Sequence, residues 1–503
     1  MRTALNAAAV PDVAIIQIVR EELLQAREKQ PQCLAAAMQG KAASAFVVAN
    51  AATQLSPLLS GTIGGDVQIC WCTQTSSAGA AGPSNPGGSR ACVHPVNPTK
   101  SDPPRHTSIS SRSLAMPGGK RLINFSAGPC QLPIEVLEDV QKEIADYNGW
   151  GISVLEMSHR GSHFKKVLTE ATETALKFLE VPQTHSLLFM SGGATGQFAA
   201  QALNFINAEH PVADYAVTGY WSKYAMVEGS MFGKTRAVTN AADMGFLEID
   251  PIDSWDLSNK PAYIHYCDNE TIEGMEFPSP PPLKLHRPEC LVIADMASNL
   301  GTKPVEWGNI DLAYAGAQKN IGVAGVTVVV LNRAIVGRTA TRCPSVLNYK
   351  KILDASSCLN TPPAVNIFVT GRTLKHLASV GDLGYWDRLC TKKSDAVYGQ
   401  CDHSEGFFVA PVKPTFRSRV TVRFAIAANE TAVQQEIQDR RKQDASEAPL
   451  DGSGAYTPEY TKQDHLAIEE ARAKDNQLTK QFLEIAEKHD MICLEFQEQY
   501  SVV

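Results

Sequence analysis

The sequence predicts an α/β fold with a mostly parallel sheet, because short apolar runs alternate with segments of helical periodicity. Five runs are apolar on both faces and are predicted to be parallel strands buried between two layers of helices. These runs are His185–Met190, Ala262–Tyr266, Cys290–Ala294, Asp311–Tyr314 and Gly325–Leu331. Helical patterns precede or separate them at Leu132–Tyr147, Lys165–Leu179 and Gly196–Asn207. In open sheets of this kind the chemistry lies at the carboxyl ends of the strands.

The composition excludes several classes of protein. The chain has 503 residues, 44% hydrophobic and 20% charged, which is typical of a globular protein of about two to four domains. A net charge of −7 offers no positive field for a nucleic-acid partner. The twelve cysteines include no CxxC pair, so we expect reduced thiols, no metal site and a cytoplasmic protein. The charge-free stretch 42–65 is broken by Pro57 and several glycines, so no membrane association is expected.

The composition also predicts how the chain divides. Residues 1–121 hold eleven basic and six acidic residues and are rich in Ser, Gly, Pro and Thr from residue 73 onward. We expect them to form a low-complexity, disordered extension, with organelle import as an alternative because transit peptides share this composition. Residues 122–136 are expected to form an N-terminal arm and 137–378 a large domain. The remaining residues, 379–503, are expected to form a smaller α+β domain, in which the polar stretch 429–475 is a solvated, partly helical insertion.

Three strand ends carry residues that could bind a cofactor. Gly192 and Gly193 lead from a strand into a helix, whose free N–H groups can bind phosphate, although tight packing alone also explains them. Asp295 follows an apolar strand and could cap a helix or pair with a cation. Lys319 lies among small residues that leave its amine little room to reach water, and burial of this kind lowers a lysine pKa and makes a nucleophile. Alone, Lys319 is better explained as an exposed loop residue.

Together these residues predict a pyridoxal-phosphate site. A phosphate-binding turn is followed by a strand-end aspartate and, 24 residues later, by a strand-end lysine. The lysine would form a Schiff base, and the aspartate would pair with the protonated pyridine nitrogen. Trp221 follows another apolar stretch and offers a flat face to the ring, although core packing explains this residue equally well.

Seven stretches of the chain resemble the phosphoserine aminotransferase family of class V, fold-type-I pyridoxal-phosphate enzymes. They are Ile123–Pro129, Ser158–Gly161, Gly192–Phe198, Gly219–Trp221, His265–Gly274, Ala315–Gly322 and Asn360–Pro363. The resemblance covers roughly residues 122–428 and, more weakly, 476–495. It implies a fold-type-I transferase and a cofactor of pyridoxal 5'-phosphate.

The resemblance also implies a role for each site residue. Lys319 would be the Schiff-base lysine and proton carrier, and Asp295 would contact the pyridine nitrogen. The other cofactor-binding residues would be Ala194, Thr195 and Gln318 at the phosphate, Trp221 on the ring, and Thr271 near the ring hydroxyl. Asn360 and Thr361 would reach the phosphate of a neighbouring subunit, which implies a homodimer with shared active sites. His159 and Arg160 would bind anionic groups of the substrate, and a guanidinium has the right shape for that task.

The implied reaction transfers the amino group of glutamate to phosphohydroxypyruvate and gives phosphoserine, in serine biosynthesis. Two departures from the family pattern are visible. Thr195 stands where one family variant has arginine, and Leu494–Val503 replaces the family's Gly-His-Arg and Gly-Gly-x-Arg-Ala-Ser segments. We therefore expect the small domain to lack its C-terminal end. The missing end includes the family's arginine that binds the substrate carboxylate. The alternatives are a catalytically impaired pyridoxal-phosphate-binding protein from a truncated gene, or another class V aminotransferase.

Overall fold

The structure is a computed structural model that describes residues 66–70, 121–340, 342–447, 462–488, 491–492 and 495–497. The predicted disordered extension therefore lies outside the described residues except for 66–70 and 121, as does the middle of the polar stretch, 448–461. None of the helices in these ranges combines the length and the apolar composition that a bilayer span requires.

The described chain contains fifteen strands and ten α-helices. The strands are β1 (Asp66–Cys70), β2 (Ile123–Asn124), β3 (His185–Met190), β4 (Val212–Val217), β5 (Lys234–Asn240), β6 (Ile264–Cys267), β7 (Asn269–Glu270), β8 (Met275–Glu276), β9 (Val292–Asp295), β10 (Leu312–Gly316), β11 (Thr327–Asn332), β12 (Phe408–Val409), β13 (Thr421–Ile426), β14 (Met491–Ile492) and β15 (Glu495–Gln497). The helices are α1 (Ile134–Glu143), α2 (Ser162–Phe178), α3 (Gly193–Phe205), α4 (Tyr220–Ser230), α5 (Leu283–His286), α6 (Tyr349–Asp354), α7 (Ala364–Val380), α8 (Leu383–Asp402), α9 (Ala428–Glu447) and α10 (Lys462–Lys488).

A seven-stranded sheet forms the centre of the larger part, in the order β3-β11-β10-β9-β6-β4-β5. The strands from β10 to β5 are parallel, and β3 has the same direction because both β3 and β10 are antiparallel to β11. All five predicted apolar runs are strands of this sheet, with ends shifted by no more than about two residues, an ordinary boundary error. The predicted α/β fold with a mostly parallel sheet is confirmed.

One strand direction differs from the prediction. The run Gly325–Leu331 was expected to be parallel, but β11 is antiparallel to both of its neighbours. Only residues 317–326 separate β10 from β11. A parallel return needs a crossover of roughly a dozen residues or more, usually with a helix, so this short connection turns the chain back antiparallel.

Helices cover both faces of the sheet, and alternate residues of β3 show the two layers. Leu187 and Phe189 belong to the core cluster that contains Phe164 of α2 and Phe368 of α7. Leu188 and Met190 belong to a second cluster, which contains Phe198 and Phe205 of α3 and Ala225 of α4. Because both faces are buried, the strands are continuously apolar, which is why the sequence reveals them.

A smaller, antiparallel sheet has the order β12-β13-β1-β15. Here the structure differs from the predicted disordered extension, because residues 66–70 pair with β13 along their whole length and with β15 along three residues. Backbone pairing of this kind depends on an available strand edge more than on local composition, so the composition of the extension does not reveal it.

The polar stretch 429–475 also differs from a solvated insertion. Its described residues belong to α9 and α10, and several of their side chains are buried. Asp475 of α10 accepts hydrogen bonds from the backbone N–H groups of Asn429 and Glu430, at 2.9 and 2.8 Å, at the start of α9. Phe482 of α10 packs against Phe408 and Phe424 of the smaller sheet. The predicted helical character is present, but α10 is not fully solvated: it contributes buried side chains to a core.

This packing predicts that Phe482→Ala destabilises the protein by about 3–5 kcal/mol, as the loss of a buried aromatic side chain usually does. Phe482 is 0% exposed. Leu466→Ala on the same helix is the control, because Leu466 is 52% exposed and its loss should cost less than about 0.5 kcal/mol. Urea unfolding followed by far-UV circular dichroism measures both. Equal effects would show that α10 is not part of the core.

Candidate active site

The predicted site residues follow the carboxyl ends of strands that point the same way. Gly192 follows β3, Trp221 follows β4, Thr271 follows β6, Asp295 ends β9 and Lys319 follows β10. Since the carboxyl ends of parallel strands lie at one edge of a sheet, the fold brings these five positions to the same edge.

Lys319 is held by a hydroxyl group. Its Nζ donates a hydrogen bond to Oγ1 of Thr271 at 2.6 Å. The segment before α1 lies against the lysine stem: a Cβ added to Gly128 would be 3.1 Å from Cγ of Lys319, and the N–H of Cys130 donates to the carbonyl of Gln318 at 2.8 Å. The amine is therefore partly buried and directed at Thr271 rather than exposed on a loop, as the small neighbouring residues suggest.

Asp295 is a buried carboxyl group that lacks a full countercharge within the described chain. Burial raises its pKa to about 7, against the opposing effects of the Ala297 N–H and the charge of Lys319. The N–H of Ala297 donates to Oδ1 at 2.8 Å. A protonated pyridine nitrogen beside this carboxyl group would favour its ionised form, so the site fits the predicted cofactor.

Two further residues stand behind Asp295, and our sequence reasoning did not assign them a role. Nε2 of His265 is 2.8 Å from the hydroxyl of Tyr314, and a hydrogen bond from Tyr314 favours the ionised form of Asp295. Burial lowers the pKa of His265 to about 3, so the imidazole is neutral and links to Tyr314 without adding charge. A histidine inside an otherwise apolar strand was the available signal.

The glycine turn after β3 is a tight connection into α3. Gly192 and Gly193 adopt φ of 102° and 62°, and a Cβ on Gly192 would be 3.2 Å from Cα of Gly196. A side chain at Gly192 would be strained by both its φ and this contact. Ala194 and Thr195 lie in the first turn of α3, partly buried and exposed respectively, where N–H groups and the helix dipole favour an anion. Gln318 is partly buried at the neighbouring strand end.

Trp221 is fixed through its backbone. It is the second residue of α4, and its N–H donates to Oε2 of Glu270 at 3.1 Å. Glu270 is a third functional candidate to which the sequence analysis assigns no role. The indole ring makes an edge-to-face contact with Tyr220 at 5.3 Å between ring centroids. The residue is partly buried, so part of its surface remains accessible.

Four predicted residues are not brought into these contacts. Asn360 and Thr361 are exposed between α6 and α7, where Nδ2 of Asn360 donates to the carbonyl of Thr361 at 3.2 Å. Arg160 is exposed and His159 partly exposed, in the turn before α2. A residue that contacts another subunit or binds a substrate must be accessible in the single chain, so this exposure is compatible with the predicted roles. The roles of these four residues stay predictions.

Comparison with known proteins identifies the family. The profile described as "Aminotransferase class-V" matches residues 122–440. The chain belongs to the class V aminotransferases. It is 37% identical over 319 residues to a "Probable phosphoserine aminotransferase" of Dictyostelium discoideum, covering 63% of this chain and 85% of the relative. It is 39% identical over 318 residues to the "Phosphoserine aminotransferase" of Drosophila melanogaster, covering 63% and 86%.

A solved structure agrees with these relatives. The phosphoserine aminotransferase of Trichomonas vaginalis, solved with PLP bound, is similar with a TM-score of 0.58 and 35% identity, covering 64% of this chain and 90% of that one. The predicted family, the fold-type-I architecture, the aminotransferase class and the pyridoxal-phosphate cofactor are thereby confirmed.

The raised pKa of Asp295 predicts a pH-dependent stability in cofactor-free protein. Its pKa is about 7 in the folded protein and 3.8 when unperturbed, so the folded state binds this proton more tightly and loses stability as pH rises between these values. From about pH 5.5 to about pH 8 this loss is roughly 2 kcal/mol. Asp295→Asn removes the titrating group. Urea unfolding at both pH values should therefore show a smaller decrease in the variant, while equal decreases would contradict the assignment.

Proposed function

We propose that this chain is a phosphoserine:2-oxoglutarate aminotransferase, which moves an amino group between glutamate and 3-phosphohydroxypyruvate in L-serine biosynthesis. The observation that carries the proposal is the hydrogen bond from Lys319 to Thr271, at the same edge of the sheet as the buried Asp295. The choice of substrate is supported by relatives named phosphoserine aminotransferase at 36–39% identity.

The chain's own residues divide the work as follows. The turn around Ala194 and Thr195, with Gln318, would bind the cofactor phosphate, and Trp221 would lie against the ring. Asp295, in its ionised form, would accept a hydrogen bond from the protonated ring nitrogen and so favour the proton on that nitrogen. Pyridoxal phosphate, when bound, supplies an electron sink for the negative charge that develops on the substrate carbon.

Lys319 has two tasks in the proposed reaction. It would anchor the cofactor, and its amine, when free, would carry a proton to and from the substrate carbon. Thr271 accepts a 2.6 Å hydrogen bond from the amine, and this bond holds the free lysine at the edge of the sheet. The partly buried position of Lys319 limits competing contact with water.

His159 and Arg160 are proposed to bind the anionic groups of the substrate. Phosphoserine carries a carboxylate and a phosphate, so a selective site needs at least two cationic or hydrogen-bonding anchors. A guanidinium binds either anion through two parallel hydrogen bonds. The exposure of Arg160 leaves its side chain free to meet a ligand from solution.

The test of this function is the half-reaction with L-phosphoserine, followed as loss of the yellow colour in a single turnover. We expect phosphoserine to react much faster than serine or alanine. Arg160→Ala should slow the phosphoserine reaction by roughly 30-fold or more, because a charge-assisted anchor is lost. Lys165→Ala, an exposed lysine five residues away, should react at the wild-type rate. Equal rates with serine and phosphoserine would contradict the proposed substrate.

A chemical control identifies the lysine. Borohydride should fix the cofactor covalently to wild-type protein and to Lys350→Ala, in which an exposed lysine is removed. The same treatment of Lys319→Ala should leave no adduct. Covalent labelling that persists in Lys319→Ala would assign the cofactor to another lysine.

We further propose a homodimer in which Asn360 and Thr361 of one subunit bind the cofactor phosphate of the other. Mixed dimers should then contain one intact site when one subunit carries Lys319→Ala and the other Asn360→Ala/Thr361→Ala. Dual-tag purification isolates the mixed dimer, whose activity should be about half that of wild type although each parent is inactive. Failure of the mixed dimer to exceed its parents would argue against shared sites.

A further inference from the structure

A hairpin links the lysine to the ring-stacking tryptophan. Its strands are β7 and β8, which are antiparallel. Thr271, directly after β7, accepts the hydrogen bond from Lys319. Glu270 and Glu273 lie on either side of Thr271, and both side chains reach the start of α4. One short segment therefore contacts two parts of the proposed catalytic machinery.

The two carboxyl groups bind the first three N–H groups of α4. Oε1 of Glu273 accepts from the N–H of Tyr220 at 2.9 Å. Glu270 accepts from Trp221 at 3.1 Å and from Ser222 at 3.0 Å, through different oxygens. These donors have no partner within the helix, and the positive end of the helix dipole favours negative charge. A single carboxylate would ordinarily be enough for this task.

The two groups are close together and buried. Glu270 is 0% and Glu273 6% exposed. A Cβ added to Gly219 would be 2.6 Å from Cδ of Glu270 and 2.7 Å from Cδ of Glu273, so the two carboxyl carbons are no more than 5.3 Å apart. Oε2 of Glu273 accepts no hydrogen bond from the described residues. Only a residue without a side chain fits between the pair and the helix.

Two buried carboxyl groups at this separation resist double ionisation. Burial, and then the charge of Glu273, raise the pKa of Glu270 to about 8. Burial also raises the pKa of Glu273, against the opposing charge of Arg423. At neutral pH the pair therefore retains a proton.

Other ionisable groups face this pair from neighbouring strands. Burial is the main cause of the raised pKa of Asp295 on β9 and of Cys267 on β6, and the negative charge of Glu270 adds to both shifts. Arg423, on β13 of the smaller sheet, favours the ionised form of Glu273. When the pair holds a proton, less negative charge lies near Asp295, and the ionised form of Asp295 is favoured. The ionised form is the one that would pair with a protonated ring nitrogen.

We propose that Glu270 and Glu273 form a buried carboxyl pair that retains one proton and positions Trp221, because the pair fixes the first turn of α4 to the hairpin that carries Thr271. Both glutamates are positioning residues, since they act through backbone N–H groups. The inference rests on the proposed function only for the contact of Trp221 with the cofactor; the retained proton and the fixed helix start belong to the cofactor-free protein.

Hydrogen exchange of the Tyr220, Trp221 and Ser222 amides in cofactor-free protein tests the pair directly. The folded pKa of Glu270 lies above its unperturbed value of 4.5, so loss of the proton weakens the arrangement as pH rises through about 8. After correction for intrinsic rates, protection should fall about tenfold between pH ~7 and pH ~9. Glu273→Gln keeps an acceptor for Tyr220 and removes the repulsion, so its protection should change less than about twofold.

The control variant is Glu228→Gln near the other end of α4, which should behave like wild type. Glu270→Gln replaces one acceptor by a donor, and should lower the protection of Trp221 or Ser222 at every pH. A wild-type pH dependence in Glu273→Gln would show that the two carboxyl groups do not influence each other's proton, and would overturn the proposed pair. If the Trp221 and Ser222 amides exchange at the wild-type rate in Glu270→Gln, Glu270 does not fix the first turn of α4, and the proposal is overturned.

The circular dichroism of bound pyridoxal phosphate separates this inference from the proposed function. Glu270→Gln should change the visible band by at least about a third, because the stacked tryptophan moves, while Glu228→Gln should not. An altered exchange pattern with an unchanged visible band would place Trp221 away from the ring and overturn the positioning role. No visible band in wild type at saturating pyridoxal phosphate would instead contradict the proposed function and leave the exchange result to decide the pair.

Discussion

The parallel register of the three central strands is the constraint on which the site depends. Cys267 of β6 is paired with Asp295 of β9, and Asp295 with Tyr314 of β10. Successive side chains of a strand point to opposite faces, so a shift by one residue would turn Asp295 away from Tyr314. The same register sets how far β10 extends, and therefore where Lys319 leaves the sheet. Apolar packing on both faces fixes this register, so the core determines the geometry of the polar edge.

Charge burial at this edge differs from charge burial elsewhere in the protein. Burial alone would raise the pKa of Glu276, but Lys303 and Arg419 lower it to about 2, so this carboxylate is fully compensated within the chain. Asp295 and Glu270 lack such complete compensation, and their pKa values lie near neutrality. Incomplete compensation costs stability and leaves the edge ready to accept a positively charged ligand group.

The sequence predicts the central strands well because burial on both faces makes them continuously apolar. It predicts β5 poorly, since this edge strand begins Lys-Thr-Arg and is partly exposed. Lys319 and Asp295 are recognisable because small or apolar residues surround them along the chain. The close contact between Gly219 and the Glu273 carboxyl group is not recognisable from the sequence. The two residues are 54 positions apart, and only the folded hairpin brings them together. Local sequence patterns thus reveal residues whose surroundings are set by their neighbours along the chain. They miss residues whose surroundings come from distant segments.

The position of β3 at one edge of the large sheet has a consequence for the order of assembly. Within the described chain β3 pairs with β11 alone, whose residues follow 137 to 147 positions later. Pairing across such a separation is slow, because the entropy of closing the intervening chain is lost before the contacts form. During synthesis β3 and the glycine turn that follows it leave the ribosome before β11, so β3 stays without its partner strand until β11 has been made. The turn that we propose for the cofactor phosphate is therefore made early, but its strand is fixed in the sheet only after the chain has reached β11.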